Sequence, residues 1–452
     1  MPSPASPEPE PTDVSRGRDA TGDEQPVNIE QSEVDASSDP QQAFDQGFVG
    51  HPKRRRRPSL LVPLVIMALV AGGVAVGSNQ IASQAVAPAS SIGSCLVGDR
   101  EALVPKKGVL FGVNLDWDSE TLAEHAENIG HNAAVSVQFS DIPYDRETWS
   151  HTLGAVEQVK ANGGILLLTL EPHGGLSTLS DTVIQRLAKD LRDINAEGVP
   201  VIVRFAHEMN GSWYAWGQQP ELYIETFRRV AQAVHERAPL SSMMWAPNYG
   251  GGYPFTGGQF AAEPGTADFA DLDTDGDGAL TMADDSYAPY YPGDAAVDWV
   301  GISLYHWGNQ RPWGDNDIAE PHKFEDMLTG TYVGTAGDDS AVPDFYQEYG
   351  VDHGHPVAIP ETAAIYTPSR RDEPGSSSEI AVKSAWWDQV FAADIPTRFP
   401  QLKMINWFEW SKVEVEIDDR VDWRAASSTA TRSAFRKALP GWFEYAEDVR
   451  GC

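Results

Sequence analysis

From residue 109 to residue 410 the chain repeats one pattern, in which a short apolar run is followed by a polar turn and an amphipathic stretch. The apolar runs predict strands at Val109–Asn114, Ala133–Phe139, Ile165–Leu170, Val199–Phe205, Ser242–Ala246, Asp298–Leu304, Val357–Pro360 and Lys403–Phe408. The stretches between them include predicted helices at Ser119–Ile129, Glu147–Ala161, Asp181–Asn195, Glu221–Arg237 and Glu379–Ala392. Strands that alternate with helices favour a parallel sheet with helical crossovers. Eight such units over this length predict an α/β fold of the (β/α)8 barrel type, whose working groups lie at the C-terminal ends of the strands. Asn114, Glu171, His207, Glu208, Tyr305 and Glu361 all fall at such ends. An open doubly wound sheet is the alternative, but no Gly-rich phosphate loop follows the first strand.

The first hundred residues follow a different rule. Residues 1–57 are rich in Pro, Ser, Asp, Glu and Gln and end in Lys53-Arg54-Arg55-Arg56-Arg57. Such a composition buries too little apolar surface to offset chain entropy, so a disordered tail is expected. The apolar stretch at 58–77 approaches the ~20 residues that cross a bilayer. With the basic cluster on its N-terminal side, the tail is expected in the cytoplasm and the rest of the chain outside the cell. A cleaved signal peptide is the competing reading, but the preceding segment is long for one. Residues 78–100 then read as a small-residue linker, and 101–452 as the folded domain.

Charge and composition narrow the partners. A formal net charge of −33 argues against nucleic acid, which needs a basic surface to replace counterions. A polyanionic substrate is disfavoured for the same reason. Fourteen tryptophans supply flat apolar faces that suit sugar rings, although Trp is equally core material. The two cysteines, Cys95 and Cys452, bracket the barrel, whose first and last strands pair. A disulfide joining the termini is expected in an oxidising compartment, with two free thiols as the alternative.

The most informative segment runs Arg204-Phe205-Ala206-His207-Glu208-Met209-Asn210-Gly211-Ser212-Trp213-Tyr214-Ala215-Trp216-Gly217, directly after an apolar strand. It closely resembles the acid/base signature of glycoside hydrolase family 26. That resemblance implies a (β/α)8 barrel and endo-β-1,4-mannanase activity, or action on mixed-linkage β-glucan or β-1,3-xylan. It places the acid/base after strand four, at Glu208, and the nucleophile after strand seven, at Glu361. Retaining hydrolysis requires such a pair, about 5–5.5 Å apart: one acid to protonate the leaving oxygen and one carboxylate to attack the anomeric carbon. Around Glu361 this chain reads Thr362-Ala363, where many family members carry a Phe-Gly or similar pair. Glu171 and Glu409 are the fallback carboxylates.

By the same resemblance Arg204 fixes the nucleophile as a charged carboxylate, and Tyr305 hydrogen-bonds it. His207 is expected to hydrogen-bond near the pair and help keep Glu208 protonated. Trp213, Trp216, His173, Asn114 and Trp407 are the expected substrate-binding residues, with Trp407 as a sugar platform ending strand eight.

Between strands five and six, Asp273-Thr274-Asp275-Gly276-Asp277-Gly278-Ala279-Leu280-Thr281-Met282-Ala283-Asp284 fits a twelve-residue EF-hand calcium loop. Asp273, Asp275, Asp277, the Ala279 carbonyl, Thr281 and Asp284 are the expected ligands, with Asp284 where a bidentate Glu is usual. No pair of flanking helices is evident. A structural Ca2+ in an insertion at about 268–286 is therefore expected, with no cofactor needed for catalysis. The whole predicts a monomeric, membrane-anchored, extracellular retaining endo-β-glycanase, most naturally acting on β-1,4-mannan. A transglycosidase of envelope glycan and a non-catalytic sugar-binding barrel are the rival readings.

Overall fold

The computed structural model describes residues 99–335 and 337–449. The expected tail, membrane span and most of the linker lie outside them, as do Cys95 and Cys452. No helix among the described residues is long and apolar enough to cross a membrane.

Eight parallel strands follow one another around a closed ring: β1 (Val109–Leu115), β2 (Val135–Asp141), β3 (Ile165–Glu171), β4 (Val201–Phe205), β5 (Ser241–Trp245), β6 (Trp299–Gly301), β7 (Val357–Thr362) and β8 (Leu402–Glu409). Each pairs with the next, and β8 closes on β1 in unbroken register from Leu110↔Met404 to Leu115↔Glu409. A two-residue strand, Phe443–Glu444, adds to the outside start of β1. Seven strands lie within two residues of their predicted bounds. The sixth is shorter, because the ladder gives way after Gly301 to isolated bridges, Asn248↔Ser303 and His306↔Ala364.

The period of two decides what fills the barrel. Leu110, Val135, Val137, Ile165, Leu167, Ile202, Met244, Trp299, Ala358 and Met404 meet inside the ring. Their neighbours in sequence face the helices and form the larger core. Gly112 is needed on the inner face: a Cβ there would stand 1.8 Å from the Asn406 Oδ1.

The helices begin where sequence chemistry starts them. Thr121 and Glu124 form a reciprocal capping box for Leu122–Ile129. Asp145 caps Arg146–Asn162, and Ser378 caps Glu379–Val390. Asp181–Ala196 and Pro220–Arg237 also match the predicted helices to within one residue. Two units depart from the alternation. After β5 the helix is six residues, Ala267–Leu272, and after β6 there are a short helix, Lys323–Leu328, a small hairpin and a π-helical segment, Tyr346–Asp352.

Candidate active site

Arg204, on the inner face near the end of β4, donates from Nη1 to the Glu361 Oε1. Its Nη2 donates to the Ser303 Oγ at 2.9 Å. The Tyr305 hydroxyl donates to the second carboxylate oxygen, Glu361 Oε2, at 2.6 Å. Both oxygens of Glu361 are thus engaged, in a site where Arg204 and Glu361 are fully buried. Two directed donors, one of them a guanidinium, suit an anion held in one orientation.

Glu361 does not reach this position by simple alternation. Ile359 on β7 pairs with Ile405 on β8, yet Thr362 pairs with Trp407, so β7 spends one extra residue there. That bulge contains Pro360, which has no N–H to give the ladder. It turns Glu361 into the barrel mouth and sends Thr362 outward, where its Oγ1 accepts from the Trp386 indole at 2.9 Å. The Thr362-Ala363 departure from the expected pair is therefore met outside the barrel, behind the carboxylate.

Glu208 stands across the mouth, 5% exposed. Burial first, and the nearby Glu361 charge second, push its carboxyl up to about 7, against a smaller opposing pull from Arg204. Ser303 and Trp213 lie close to it and pull the other way, favouring its charged form. The backbone is held in left-handed conformations at Ala206 (φ +46°) and Glu208 (φ +54°). Non-glycine residues pay for such conformations, and here the surroundings impose them. Glu208 N donates to the Ala246 carbonyl at 2.8 Å, and Gln218 N closes the loop onto the Met209 carbonyl at 2.8 Å. Asn210 exchanges hydrogen bonds with the Asn248 backbone, at 2.8 Å each way, tying the loops after β4 and β5 together. Gly211 leaves room for Trp213, whose ring would lie 2.3 Å from a Cβ at that position.

Several expected site residues have different places. His207 is fully buried, and neither ring nitrogen finds a hydrogen-bond partner among the described residues. Its ring packs against Phe139, Tyr214 and Trp216, and burial holds it well below its ordinary value, so it is neutral. It supports the loop by shape and does not hydrogen-bond the pair. Trp216 is also core: it stacks on Tyr214 with centroids 4.2 Å apart and donates to the His207 carbonyl at 2.7 Å. Trp407 points outward from β8 into Trp387, Phe391 and Phe435, and is no sugar platform. One residue further along, Phe408 faces the mouth beside Tyr305 and stacks on the half-buried Trp410.

Asn114 accepts from the Trp410 indole at 3.1 Å, so it positions that ring. His173 lies between Glu171, at 3.5 Å, and Asp141, at 3.6 Å, and is raised chiefly by its bond to Glu171. Of the fallback carboxylates, Glu171 serves this group. Glu409 turns away to accept the Ala425 N–H at 2.9 Å, and burial lifts it to about 7. Ser303 is the functional residue that sequence reasoning missed. The inward period of two in Gly301-Ile302-Ser303-Leu304-Tyr305 would have found it.

Trp213 does border the open cleft, about 330 Å³, that runs from Glu208 past Tyr249, Tyr305, Trp307 and Trp313. A broader depression of about 710 Å³, between the helix Pro220–Arg237 and residues 292–296, includes neither carboxylate.

In the expected calcium loop, one oxygen each of Asp273, Asp275 and Asp277 lies within 4.8 Å of the others. Asp273 Oδ1 is shielded from solvent and lacks a hydrogen-bond partner among the described residues. Asp284 differs from the expectation. It is buried and accepts backbone N–H groups of Thr274 at 2.7 Å and Thr281 at 2.8 Å, closing the loop instead of facing the three aspartates as a free ligand. Thr281 Oγ1 accepts from the Ala283 N–H at 3.0 Å.

Comparison with known proteins bears out the family resemblance. The model for glycosyl hydrolase family 26 matches residues 168–268, a segment that includes Arg204 and Glu208. Endoglucanase H of Acetivibrio thermocellus is 25% identical over 316 residues, which is 66% of this chain and 27% of that protein. A mannan endo-1,4-beta-mannosidase of Bacillus subtilis is 26% identical over 74 residues, 14% of this chain and 20% of that protein. The chain thus spans between a fifth and about a quarter of the length of these curated relatives. Among solved structures, a modular endo-beta-1,4-mannanase from Cellulomonas fimi aligns with 78% of this chain and 77% of its own, at 18% identity and a TM-score of 0.47.

Proposed function

We propose that this chain, whose residues 168–268 match glycosyl hydrolase family 26, is a retaining endo-β-glycanase acting on β-1,4-mannan or a closely related polymer. One observation carries the reading: two buried carboxylates share the barrel mouth in opposite states. Arg204 and Tyr305 hold Glu361 by both oxygens, while burial and the charge of Glu361 keep a proton on Glu208 up to about pH 7. A carboxylate nucleophile beside a proton-holding acid is what double displacement requires.

Glu361 attacks the anomeric carbon as Glu208 protonates the departing oxygen, leaving a glycosyl ester on Glu361. Glu208, now ionised, takes a proton from water, which opens the ester and restores both groups. Arg204 and Tyr305 keep the attacking oxygen in line. Ser303 bonds both Arg204 and Glu208, so it couples the placement of the two carboxylates.

Mannan is favoured by the name of the Bacillus subtilis relatives, and β-glucan by that of the Acetivibrio thermocellus relative. The strand-four signature tips the choice toward mannan. The apolar stretch at 58–77 and its basic flank support a single-pass anchor with the enzyme outside the cell. A structural Ca2+ held by Asp273, Asp275 and Asp277 would pin the insertion after β5. The Asp273 oxygen that has no partner among the described residues fits such an ion, whose binding adds no step to the chemistry.

The test is release of reducing ends by the full chain from β-mannan, mixed-linkage β-glucan, β-1,3-xylan and β-1,4-xylan, with Glu361→Ala as the control. Cleavage of one polymer, lost in the variant, with first products of unchanged anomeric configuration by NMR, supports the reading. First products of inverted configuration would remove the glycosyl ester. Inertness toward all four would remove the glycanase and leave a sugar-binding barrel.

A further inference from the structure

The open cleft begins at Glu208, and the buried Glu361 takes no part in its lining. An acid that protonates a departing oxygen stands beside the departing group. If the proposed reaction holds, this cleft is therefore where the leaving end of the substrate lies.

Its walls come from separate parts of the chain. Trp307 and Trp313 belong to the loop after β6, and Glu416 to the turn of a hairpin that joins Ser411–Glu414 to Asp419–Asp422. The two parts are locked together: a Cβ on Gly314 (φ +96°) would fall 2.7 Å from the Ile417 side chain. Glu416 is thus held opposite the tryptophans by packing.

The two carboxylates of this hairpin are used differently. Glu414 accepts from the Trp423 indole at 2.8 Å and from Lys412 at 3.1 Å. Glu416 Oε2 is shielded from bulk solvent and has no hydrogen-bond partner among the described residues. Burial, then the Glu414 charge, push this carboxyl up to about 7. A buried acceptor without a donor is costly, and such an atom on a binding surface marks a place for a ligand's donor. The cations of the cleft do not answer it. Lys323 donates to the Gly308 carbonyl at 2.8 Å and lies over Tyr332, and Arg311 lies over the Trp313 ring.

We propose that Glu416 is the hydroxyl acceptor of a leaving-group subsite, in which a neutral pyranose lies along Trp307 and Trp313 and donates a hydroxyl to the unpartnered Oε2 of its carboxylate. A neutral ring fits because Glu416, Asp338 and Asp339 would repel an acidic sugar. The aromatic faces supply the apolar contact that sugar C–H groups need. The place of this subsite in a reaction rests on the glycanase reading, but its capacity to bind sugar does not.

The test compares Glu416→Gln with the parent in two measurements on the full chain. In the first, both proteins carry Glu361→Gln to stop turnover, and calorimetry measures binding of linear oligosaccharides from the four polymers. Above pH 7, where Glu416 is ionised, exchanging its carboxylate acceptor for the weaker, neutral amide oxygen should weaken binding of at least one of them by roughly tenfold. In the second, kcat/KM is measured for the oligosaccharide cleaved best and for a nitrophenyl glycoside of the same sugar, which places no sugar in the leaving position. The variant should lose roughly tenfold on the first and stay within about twofold on the second. Equal loss on both substrates, or unchanged affinity for every oligosaccharide, overturns the proposal. Failure of the parent to bind any of them overturns it as well. Binding that is weakened by the variant in a chain that cleaves nothing would uphold the subsite and remove the glycanase.

Discussion

Arg204 and Glu361, 157 residues apart in the chain, form an ion pair that is buried on both sides. The pair spans the barrel mouth from β4 to β7, with Ser303 and Tyr305 filling in from the strand-six side. Removal of one partner leaves the other charged and out of water. Arg204→Ala is therefore expected to lower stability by about 3–5 kcal/mol, read as a denaturant midpoint, and to abolish activity. Arg204→Lys keeps the charge but cannot serve Glu361 and Ser303 together, so it should retain much more stability than activity.

The two carboxylates separate by leaving group. On polysaccharide, Glu208→Ala and Glu361→Ala should each lose roughly 10²-fold or more in kcat. On a dinitrophenyl glycoside, whose departure needs no proton, Glu208→Ala should still release a burst of phenolate while Glu361→Ala should not. Equal defects on that substrate would reverse or remove the assignment.

The raised value of Glu208 sets a pH dependence. Activity needs its proton, so kcat/KM should fall as pH rises through about 7, and Glu208→Gln should lack that limb. Stability follows the same sign at Glu409, which burial also lifts to about 7. The unfolded carboxyl ionises near 4.5 while the folded one stays protonated, so the unfolded state binds fewer protons across that window. The thermal midpoint should decline between those values, and Glu409→Gln should flatten the decline.

Neighbouring aromatics at the end of β8 should divide stability from binding. Trp407→Ala opens a cavity between barrel and helices and should cost about 3–5 kcal/mol. Trp410→Ala removes a half-buried ring beside the mouth and should raise KM with a thermal midpoint shifted by only a few degrees. A larger stability loss at Trp410 than at Trp407 would contradict these placements.

Metal removal should reach the insertion and leave the chemistry. Chelation is expected to lower the thermal midpoint, and added Ca2+ to restore it in proportion to ln[Ca2+]. Asp273→Ala should be insensitive to both treatments. Retention of kcat at low temperature after chelation would place the ion outside the reaction.

What was legible in the sequence was local. Strand and helix periods, the caps at Thr121, Asp145 and Ser378, and the contiguous segment from Arg204 to Gly217 depend on residues close together in the chain. They led to a barrel, and to Glu208 at the end of β4. What the tertiary structure alone decided is which side of the wall each strand end faces, and which distant groups meet there. Trp407 and Phe408 are adjacent and both aromatic, and only the register of β8 against β1 and β7 sends the first outward and the second toward the mouth. Strict alternation from Ile359 would turn Glu361 away from the cleft, and the bulge at Pro360 turns it in. Trp216 and His207 read as cleft residues by their place in the signature, but the loop folds back and buries them. Ser303 gains its role from Arg204 and Glu208, each about a hundred residues away. A strand fixes its side chains only relative to one another; hydrogen bonds to its neighbours fix them relative to the barrel.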